Sequence, residues 1–273
     1  MQLKGLHHIT AVTGKVKRNV EFYTQTLGLR LVKKSVNQDD TSAYHLFYAD
    51  KLGTPGTDIT FFDWPHIGPN QPGTDSIAGT AFRVSSEEAL DFWTERLEKA
   101  ETRNLQRAAF NEKEMLSFQD PEGQQLYLVN DGGALFEGEI WSRPDIPDEF
   151  ALRGFYAAVL SASNIERLSS VLVNGMNFTQ DARGVWIDGE TPVTLFRTHP
   201  DGGPGSEIWL KEETDAPQAQ LGTGGVHHVA FRVEDVETQE KWRSQLTKSG
   251  LHVTRIIDRF WFKSIYFRVS RGI

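Results

Sequence analysis

The alternation of apolar and polar residues predicts one strand, one helix and three further strands at the start of the chain. The first strand covers residues 6–13 and the helix residues 15–27. Apolar side chains recur every three or four positions of this helix: Val16, Val20, Tyr23 and Leu27. Gly28 follows in the position that favours a left-handed helix cap. Three strands, separated by turn residues, complete the unit: 29–36, 43–49 and 58–64.

The same order of elements is predicted three more times. The first strands of these repeats are expected at 77–84, 152–160 and 225–233. Their helices are expected at 86–99, 164–174 and 236–249. The strands after the helices are expected at 115–119, 125–129, 184–187, 193–198, 206–210, 251–258 and 264–269. Four rounds in one order favour four βαβββ modules, numbered one to four, over a plain α+β protein without repeats.

A segment rich in Gly, Pro and Asp divides the four modules into two halves. Gly132-Gly133 is followed by Trp141-Ser142-Arg143-Pro144-Asp145-Ile146-Pro147-Asp148, a composition typical of a linker. We therefore predict a first pair of modules at residues 1–135, a linker at 136–150 and a second pair at 151–273.

Composition narrows the function classes. The 273 residues carry a net charge of −8 and no basic cluster, so nothing supports binding of nucleic acid. No apolar run is long enough to span a membrane, and the start of the chain lacks a secretion signal pattern. The absence of cysteine suits the cytoplasm and leaves His, Asp and Glu as ligands for any metal.

Two histidine pairs occupy corresponding places in modules one and four. His7-His8 lies in the first strand of module one, and His227-His228 lies in the first strand of module four. Because side chains alternate along a strand, His8 and Thr10 are expected on one face and His7 on the other. We predict that one histidine of each pair binds a single metal ion. The alternative is that these are core histidines bonded to the backbone.

A resemblance to a known family is carried by six stretches: 6–13, Asn19-Val20-Glu21-Phe22-Tyr23, 27–34, Gly53-Thr54-Pro55-Gly56-Thr57, 226–235 and Ser264-Ile265-Tyr266-Phe267-Arg268. They resemble the vicinal oxygen chelate superfamily, which includes glyoxalases, bleomycin resistance proteins and extradiol dioxygenases. Module one is similar to the branch of ring-cleaving hydroquinone dioxygenases. The resemblance implies that the modules are paired into two domains with open, curved mixed sheets, whose concave faces hold the metal.

The resemblance also implies the metal ligands. They would be His8 and His228, each directly before the apolar residue that continues its strand. A glutamate on the last strand of module four would complete the ligand set. By the register of Tyr266-Phe267-Arg268, this glutamate would fall just beyond Ile273, so module four is expected to lack its final strand.

Further roles follow from the resemblance to the hydroquinone branch. Four residues would serve the substrate or oxygen: His7, Thr10, Arg259 and Tyr266. Glu207 is a carboxylate candidate by analogy with glyoxalases. The other histidines are expected to be structural or exposed: His45, His66, His199 and His252. The aromatic cluster at residues 260–262 is expected in the core, with the wall of a substrate pocket as the alternative.

The implied activity is that of a metal-dependent ring-cleaving (extradiol-type) dioxygenase acting on hydroquinone- or catechol-like aromatics. Fe(II) is the expected metal, with Mn(II) or Zn(II) as alternatives. The expected partners are a small aromatic substrate, dioxygen and, in a homodimer, a second copy of the chain. Two other functions stay open: a glyoxalase-type lyase or isomerase, which needs no oxygen, and a non-catalytic protein that binds aromatic compounds.

Overall fold

The computed structural model describes residues 1–273, and its architecture is α+β. The strands, in chain order, are β1 (Leu6–Thr13), β2 (Arg30–Val36), β3 (Tyr44–Ala49), β4 (Asp58–Asp63), β5 (Ser76–Val84), β6 (Arg103–Phe110), β7 (Lys113–Gln119), β8 (Gln125–Asn130), β9 (Phe155–Ala162), β10 (Thr179–Val185), β11 (Pro192–Arg197), β12 (Glu207–Glu212), β13 (Val226–Phe231), β14 (Ile257–Asp258) and β15 (Lys263–Ser264). The α-helices are α1 (Val16–Glu21), α2 (Glu87–Lys99), α3 (Ile165–Ser170) and α4 (Val236–Lys248).

In each of modules one to three, the first strand pairs in parallel with the last strand of the same module. β1 lies beside β4, β5 beside β8, and β9 beside β12. The remaining strands add antiparallel at the far edge, as in the order β1-β4-β3-β2 of module one. Along β1, Ile9 and Ala11 enter the main apolar core with residues of the helices, and His8 and Thr10 point to the opposite face. We call that opposite face the inner face.

Antiparallel strand pairs join modules from the first half of the chain to modules from the second half. β13 pairs antiparallel with β1, and β9 pairs antiparallel with β5, so module one meets module four and module two meets module three. A bridge between Val226 and Ile77 links both pairs into one sheet of 13 strands. The predicted α+β fold of repeated modules with open mixed sheets is confirmed. The division at residues 1–135, 136–150 and 151–273 stays a prediction, and the strand pairing runs across it.

The helices of modules one and three both end in a wider turn. A π-helical turn continues α1 over Phe22–Thr26, and another continues α3 over Val171–Gly175. The extra residue in such a turn shifts the buried face of the helix. In α1 itself, Asn19 is buried and accepts a hydrogen bond of 2.8 Å from the Tyr48 hydroxyl, whereas Val16 of the predicted apolar stripe is only partly buried.

Module four differs most from the prediction. The strands expected at 251–258 and 264–269 are reduced to β14 and β15, which span two residues each. No strand of residues 1–273 pairs in parallel with β13, so these segments have no closing strand to continue the sheet. The prediction of two long strands here is wrong for that reason.

One carboxyl group in module one has a buried oxygen atom that is paired with neither a cation nor a donor. Asp58 begins β4, and its Oδ1 atom is buried without a hydrogen-bond partner. Burial, followed by the nearby charge of Asp50, raises the pKa of Asp58 to about 8. The unfolded chain ionises this carboxyl at a much lower pH, so folding stability falls as the pH rises between those two pKa values.

The variant Asp58→Asn is therefore expected to be more stable than the wild type at pH 7. Removing the cost of protonating the buried carboxyl should raise the free energy of unfolding by about 2–4 kcal/mol. Urea unfolding at several pH values measures this gain, which should vanish below about pH 4. Replacing the exposed Asp201 by Asn is the matched control. An equal gain at pH 4 and pH 7 would contradict the assignment to ionisation.

Candidate metal centre

Strands β1 and β13 bring one histidine of each pair together on the inner face. The Nε2 atoms of His8 and His228 are 3.1 Å apart, although 220 positions separate the two residues in the chain. His8 is 6% exposed, and His228 lines a cavity beside it. The antiparallel register places His8 opposite Ala230 and His228 opposite Thr10, so the two histidines occupy equivalent positions on their strands.

Both strands are irregular at their histidine pair. The register between β1 and β13 shifts at His7 and shifts again at His227. Such a bulge turns two successive side chains towards the same face. The Nδ1 atoms of His7 and His8 are accordingly 2.9 Å apart, and those of His227 and His228 are 2.8 Å apart. The expectation from simple alternation that His7 points away from His8 is therefore wrong.

The histidines of the centre are held neutral. Burial, followed by the neighbouring His228, lowers the pKa of His8 well below its usual value. Burial, followed by the neighbouring His227, lowers the pKa of His228 to about 3. A neutral imidazole has a free nitrogen lone pair, which is the form that binds a metal ion.

The donor set fits a divalent metal ion. Two imidazole nitrogens at about 2.1 Å from one ion, at a right angle to each other, would be about 3.0 Å apart. The separation of 3.1 Å between the two Nε2 atoms agrees with that arrangement. No group of three His, Asp or Glu side chains within residues 1–273 could hold a metal ion. His8 and His228 would therefore supply two nitrogen ligands, and a metal ion bound there would need further ones.

A line of hydrogen bonds runs from His228 across module one. Thr10 Oγ1 lies 3.0 Å from His228 Nε2 and 2.7 Å from Thr60 Oγ1. His45 Nε2, in turn, lies 2.9 Å from the same Thr60 Oγ1 atom. His45, which was expected to be structural or exposed, is half-buried, and β3 carries it onto the same inner face. Sequence reasoning missed Thr60 as well, since a threonine in a strand gives no signal of its own.

Arg259 and Tyr266 lie together at the edge of the centre. Arg259 Nε donates to the Tyr266 hydroxyl at 3.2 Å, and the Tyr266 ring centroid is 6.0 Å from that of His228. Asp39, in the loop between β2 and β3, accepts two hydrogen bonds of 2.9 Å from the Arg259 guanidinium. This paired hydrogen bond with Arg259 is the main reason why the pKa of Asp39 is lowered. Asp39 was not among the sequence candidates.

A cavity of about 640 Å³ opens beside the histidines, and most of the residues that line it are apolar. Phe262 covers its histidine end, with ring centroids 5.4 Å from His7 and 5.2 Å from His8. Phe260 and Trp261 are 78% and 62% exposed, so their predicted place in the core is wrong. Of the three aromatic residues 260–262, only Phe262 faces the histidines.

Glu207 lies at the other seam of the sheet. It starts β12 opposite Ala157, in the place that Asp58 takes opposite His8 in module one. Trp209 Nε1 donates to its carboxylate at 2.8 Å within a cluster of buried aromatic side chains. The structure therefore keeps Glu207 apart from His8 and His228. The seam between modules two and three is filled with side chains where the other seam has its histidines.

Comparison with known proteins places the chain in a family. The model of the Glyoxalase/Bleomycin resistance protein/Dioxygenase superfamily matches residues 5–128 and again residues 147–270. The chain belongs to this superfamily. The predicted family is thus confirmed, and the two matches correspond to two modules each.

Individual relatives of the superfamily cover nearly the whole chain. The chain is 39% identical to "Putative ring-cleaving dioxygenase MhqA" of Bacillus subtilis over all of its length and 86% of that protein. It is 31% identical to the chlorohydroquinone/hydroquinone 1,2-dioxygenase of Sphingobium indicum, over 84% of that protein. A crystal structure from Bacillus subtilis described as a "putative dioxygenase" superposes with a TM-score of 0.86 at 33% identity, covering 98% of this chain and 82% of that one. None of the helices of this chain is both long enough and apolar enough to cross a membrane.

Proposed function

We propose that the protein is a metal-dependent ring-cleaving dioxygenase of the cytoplasm that acts on hydroquinone- or catechol-like aromatics. The observation that carries this proposal is the pair of neutral imidazoles 3.1 Å apart at the end of an apolar cavity. The names of the relatives favour this activity over a glyoxalase-type reaction and over simple binding of an aromatic compound.

His8 and His228 would hold the metal through their Nε2 atoms. We propose Fe(II) as the native ion, with Mn(II) or Zn(II) as the alternatives that the same nitrogen ligands accept. When bound there, iron supplies Lewis acidity and the one-electron chemistry with dioxygen that organic side chains lack. In oxidative ring cleavage the aromatic substrate itself supplies the four electrons that dioxygen takes up, so no external reductant has to bind.

The cavity suits a small aromatic ring. Most of its lining is apolar, and the Phe262 ring lies next to His7 and His8. His7 would accept the proton of a substrate hydroxyl, because burial, followed by the charge of Arg232, lowers its pKa and keeps the imidazole neutral. The bulge that turns His7 to the inner face makes this role geometrically available.

Three polar groups would stabilise negative charge on the bound oxygen atoms. Tyr266 and Thr10 each have a hydroxyl at the edge of the histidine cluster, and Arg259 places a positive charge behind Tyr266. Donors that are already oriented act strongly in a site shielded from water. The hydroxyl of Tyr266 is oriented by Arg259, whose own position depends on Asp39.

The experiment that tests the proposal is oxygen uptake after loading with Fe(II). Purified protein reconstituted anaerobically with Fe(II) is mixed with hydroquinone or catechol, and both oxygen consumption and loss of the aromatic absorbance are followed. We expect one oxygen molecule consumed for each ring cleaved. Conversion of a substrate without oxygen uptake would instead indicate a glyoxalase-type reaction. Protein with bound iron and no turnover of any such aromatic would contradict the proposal.

The variant Asp39→Asn is expected to reduce kcat by about 10-fold while stability changes by less than about 1 kcal/mol. Asp39 is 71% exposed at its side chain, so the ion pair itself adds little to folding. Its loss would free Arg259 and disorient the Tyr266 hydroxyl. The matched control is Asp40→Asn in the same loop, where the carboxylate bonds only to Ser42. Steady-state oxygen uptake measures both variants, and equal activity of the two would refute the role of Asp39.

A further inference from the structure

A histidine outside the metal centre forms the end of the hydrogen-bond line that reaches it. Four neighbouring strands, β13, β1, β4 and β3, carry His228, Thr10, Thr60 and His45 in that order. Thr10 and Thr60 stand directly opposite each other in the parallel register and are 0% and 1% exposed. When one of two buried hydroxyls donates to the other, the second must accept, so the orientations of Thr10 and Thr60 are coupled.

The surroundings of His45 fix its ring and its charge. The ring lies between Phe47 and Phe62, with centroid distances of 4.0 Å and 4.5 Å. Burial, followed by the positive charge of Arg259 and then by His227, lowers the pKa of His45 to about 3. The imidazole therefore stays neutral, with a hydrogen on one nitrogen only. A neutral ring can donate to Thr60 or accept from it, and that choice sets the direction of the whole line.

The direction of hydrogen-bond donation along this line decides whether the Thr10 hydroxyl can donate to a ligand. If His45 accepted from Thr60, then Thr60 would accept from Thr10, and Thr10 would have no hydrogen left for a ligand at the centre. If His45 donates through Nε2, Thr60 donates to Thr10, and the hydrogen of Thr10 is free to point at the centre. An aromatic substrate that has lost its hydroxyl proton carries an anionic oxygen, which requires a donor.

We infer that His45 is a positioning residue: its Nε2–H donates to Thr60 Oγ1, Thr60 donates to Thr10 Oγ1, and Thr10 thereby donates to an anionic oxygen of the bound aromatic. This role rests on the proposed dioxygenase function only for its last link. The first two links are properties of the protein without substrate. His45 touches neither metal nor substrate, and its effect is transmitted through two hydroxyl groups.

A matched pair of substitutions separates the hydrogen bond from packing. Thr60→Val keeps the shape of the side chain and removes the hydroxyl, whereas Thr60→Ser keeps the hydroxyl. We expect Thr60→Val to lower kcat by about 10-fold with little change in KM or metal content, and Thr60→Ser to retain most of the activity. His45→Gln, which can still donate, is expected to retain more activity than His45→Phe, which keeps only a ring between Phe47 and Phe62.

Nitrogen NMR of the His45 ring tests the inference without any turnover. In metal-free protein and in protein loaded with diamagnetic Zn(II), we expect the Nε2–H tautomer in the wild type and in Thr60→Ser. Thr60→Val should lose this preference. The Nδ1–H tautomer in the wild type, or equal kcat for Thr60→Val and Thr60→Ser, would overturn the inference. If the wild type consumes no oxygen, the proposed function fails, and the tautomer alone decides on the hydrogen-bond line.

Discussion

Replacing His8 or His228 by alanine is expected to remove metal binding and, with it, oxygen uptake. Loss of a residue that only orients a metal ligand typically costs 10- to 100-fold in affinity, so loss of a ligand itself should cost more than about 100-fold. No third His, Asp or Glu side chain within residues 1–273 joins His8 and His228 in a group that could hold a metal ion, so either substitution leaves one of the two candidate ligands. Metal analysis after dialysis, together with oxygen uptake under added Fe(II), measures both effects.

Controls separate the loss of a ligand from the loss of a histidine or of the fold. His66→Ala removes an exposed histidine from the segment after β4 and should leave metal content and activity unchanged. Circular dichroism and urea midpoints should remain close to those of the wild type in all three variants. Full metal content in His8→Ala or His228→Ala would show that the two Nε2 atoms are not the ligands.

The largest effect on stability is expected for Arg83→Ala. Arg83 Nε donates to Asp131 at 2.8 Å, and its Nη2 donates to the carbonyls of Ala134 and Leu135 at 3.0 Å each. The side chains of Arg83 and Asp131 are 8% and 0% exposed. Removing the guanidinium leaves the Asp131 carboxylate buried without its cation, which typically costs about 3–5 kcal/mol of folding free energy. Urea unfolding measures this loss.

The chain offers a matched control for this variant in module four. Arg232 follows Phe231 as Arg83 follows Phe82, but its side chain is 35% exposed and its distance to Glu137 is 3.6 Å. Arg232→Ala should therefore cost less than about 1 kcal/mol. Adding Asp131→Asn to Arg83→Ala should recover part of the stability, because no charge is then left unpaired. Equal losses for the two arginine variants would contradict the role of burial.

The sequence was informative where a local pattern decides the structure. Strand and helix periodicity predicted the modules, because each element packs one apolar face against the core. The histidines at positions 8 and 228 could be chosen because family resemblance placed both at equivalent points of repeated modules. The start of α2 is also set locally, because the Ser86 hydroxyl accepts a hydrogen bond from the backbone N–H of Ala89 and caps the helix.

Other parts of the centre depend on pairing between distant strands, which local patterns do not contain. The bulges at His7 and His227 arise from the register between β1 and β13, so alternation alone gave the wrong face for His7. His45 and Thr60 reach the centre because β4 and β3 lie next to β1 in the sheet. Asp39 meets Arg259 through a loop contact, and exposed acidic residues of loops have no pattern that would single one out.

The pairing of β1 with β13 also has a consequence for how the protein folds during its synthesis. The two histidines are 220 positions apart, so a nascent chain on the ribosome has made modules one to three before His228 is synthesised. During that time the β13-facing edge of β1 has no partner, and unpaired edges are prone to wrong association. Contacts between such distant segments also form slowly. A metal ion held by both His8 and His228, as proposed above, would therefore bind only after β13 has been synthesised.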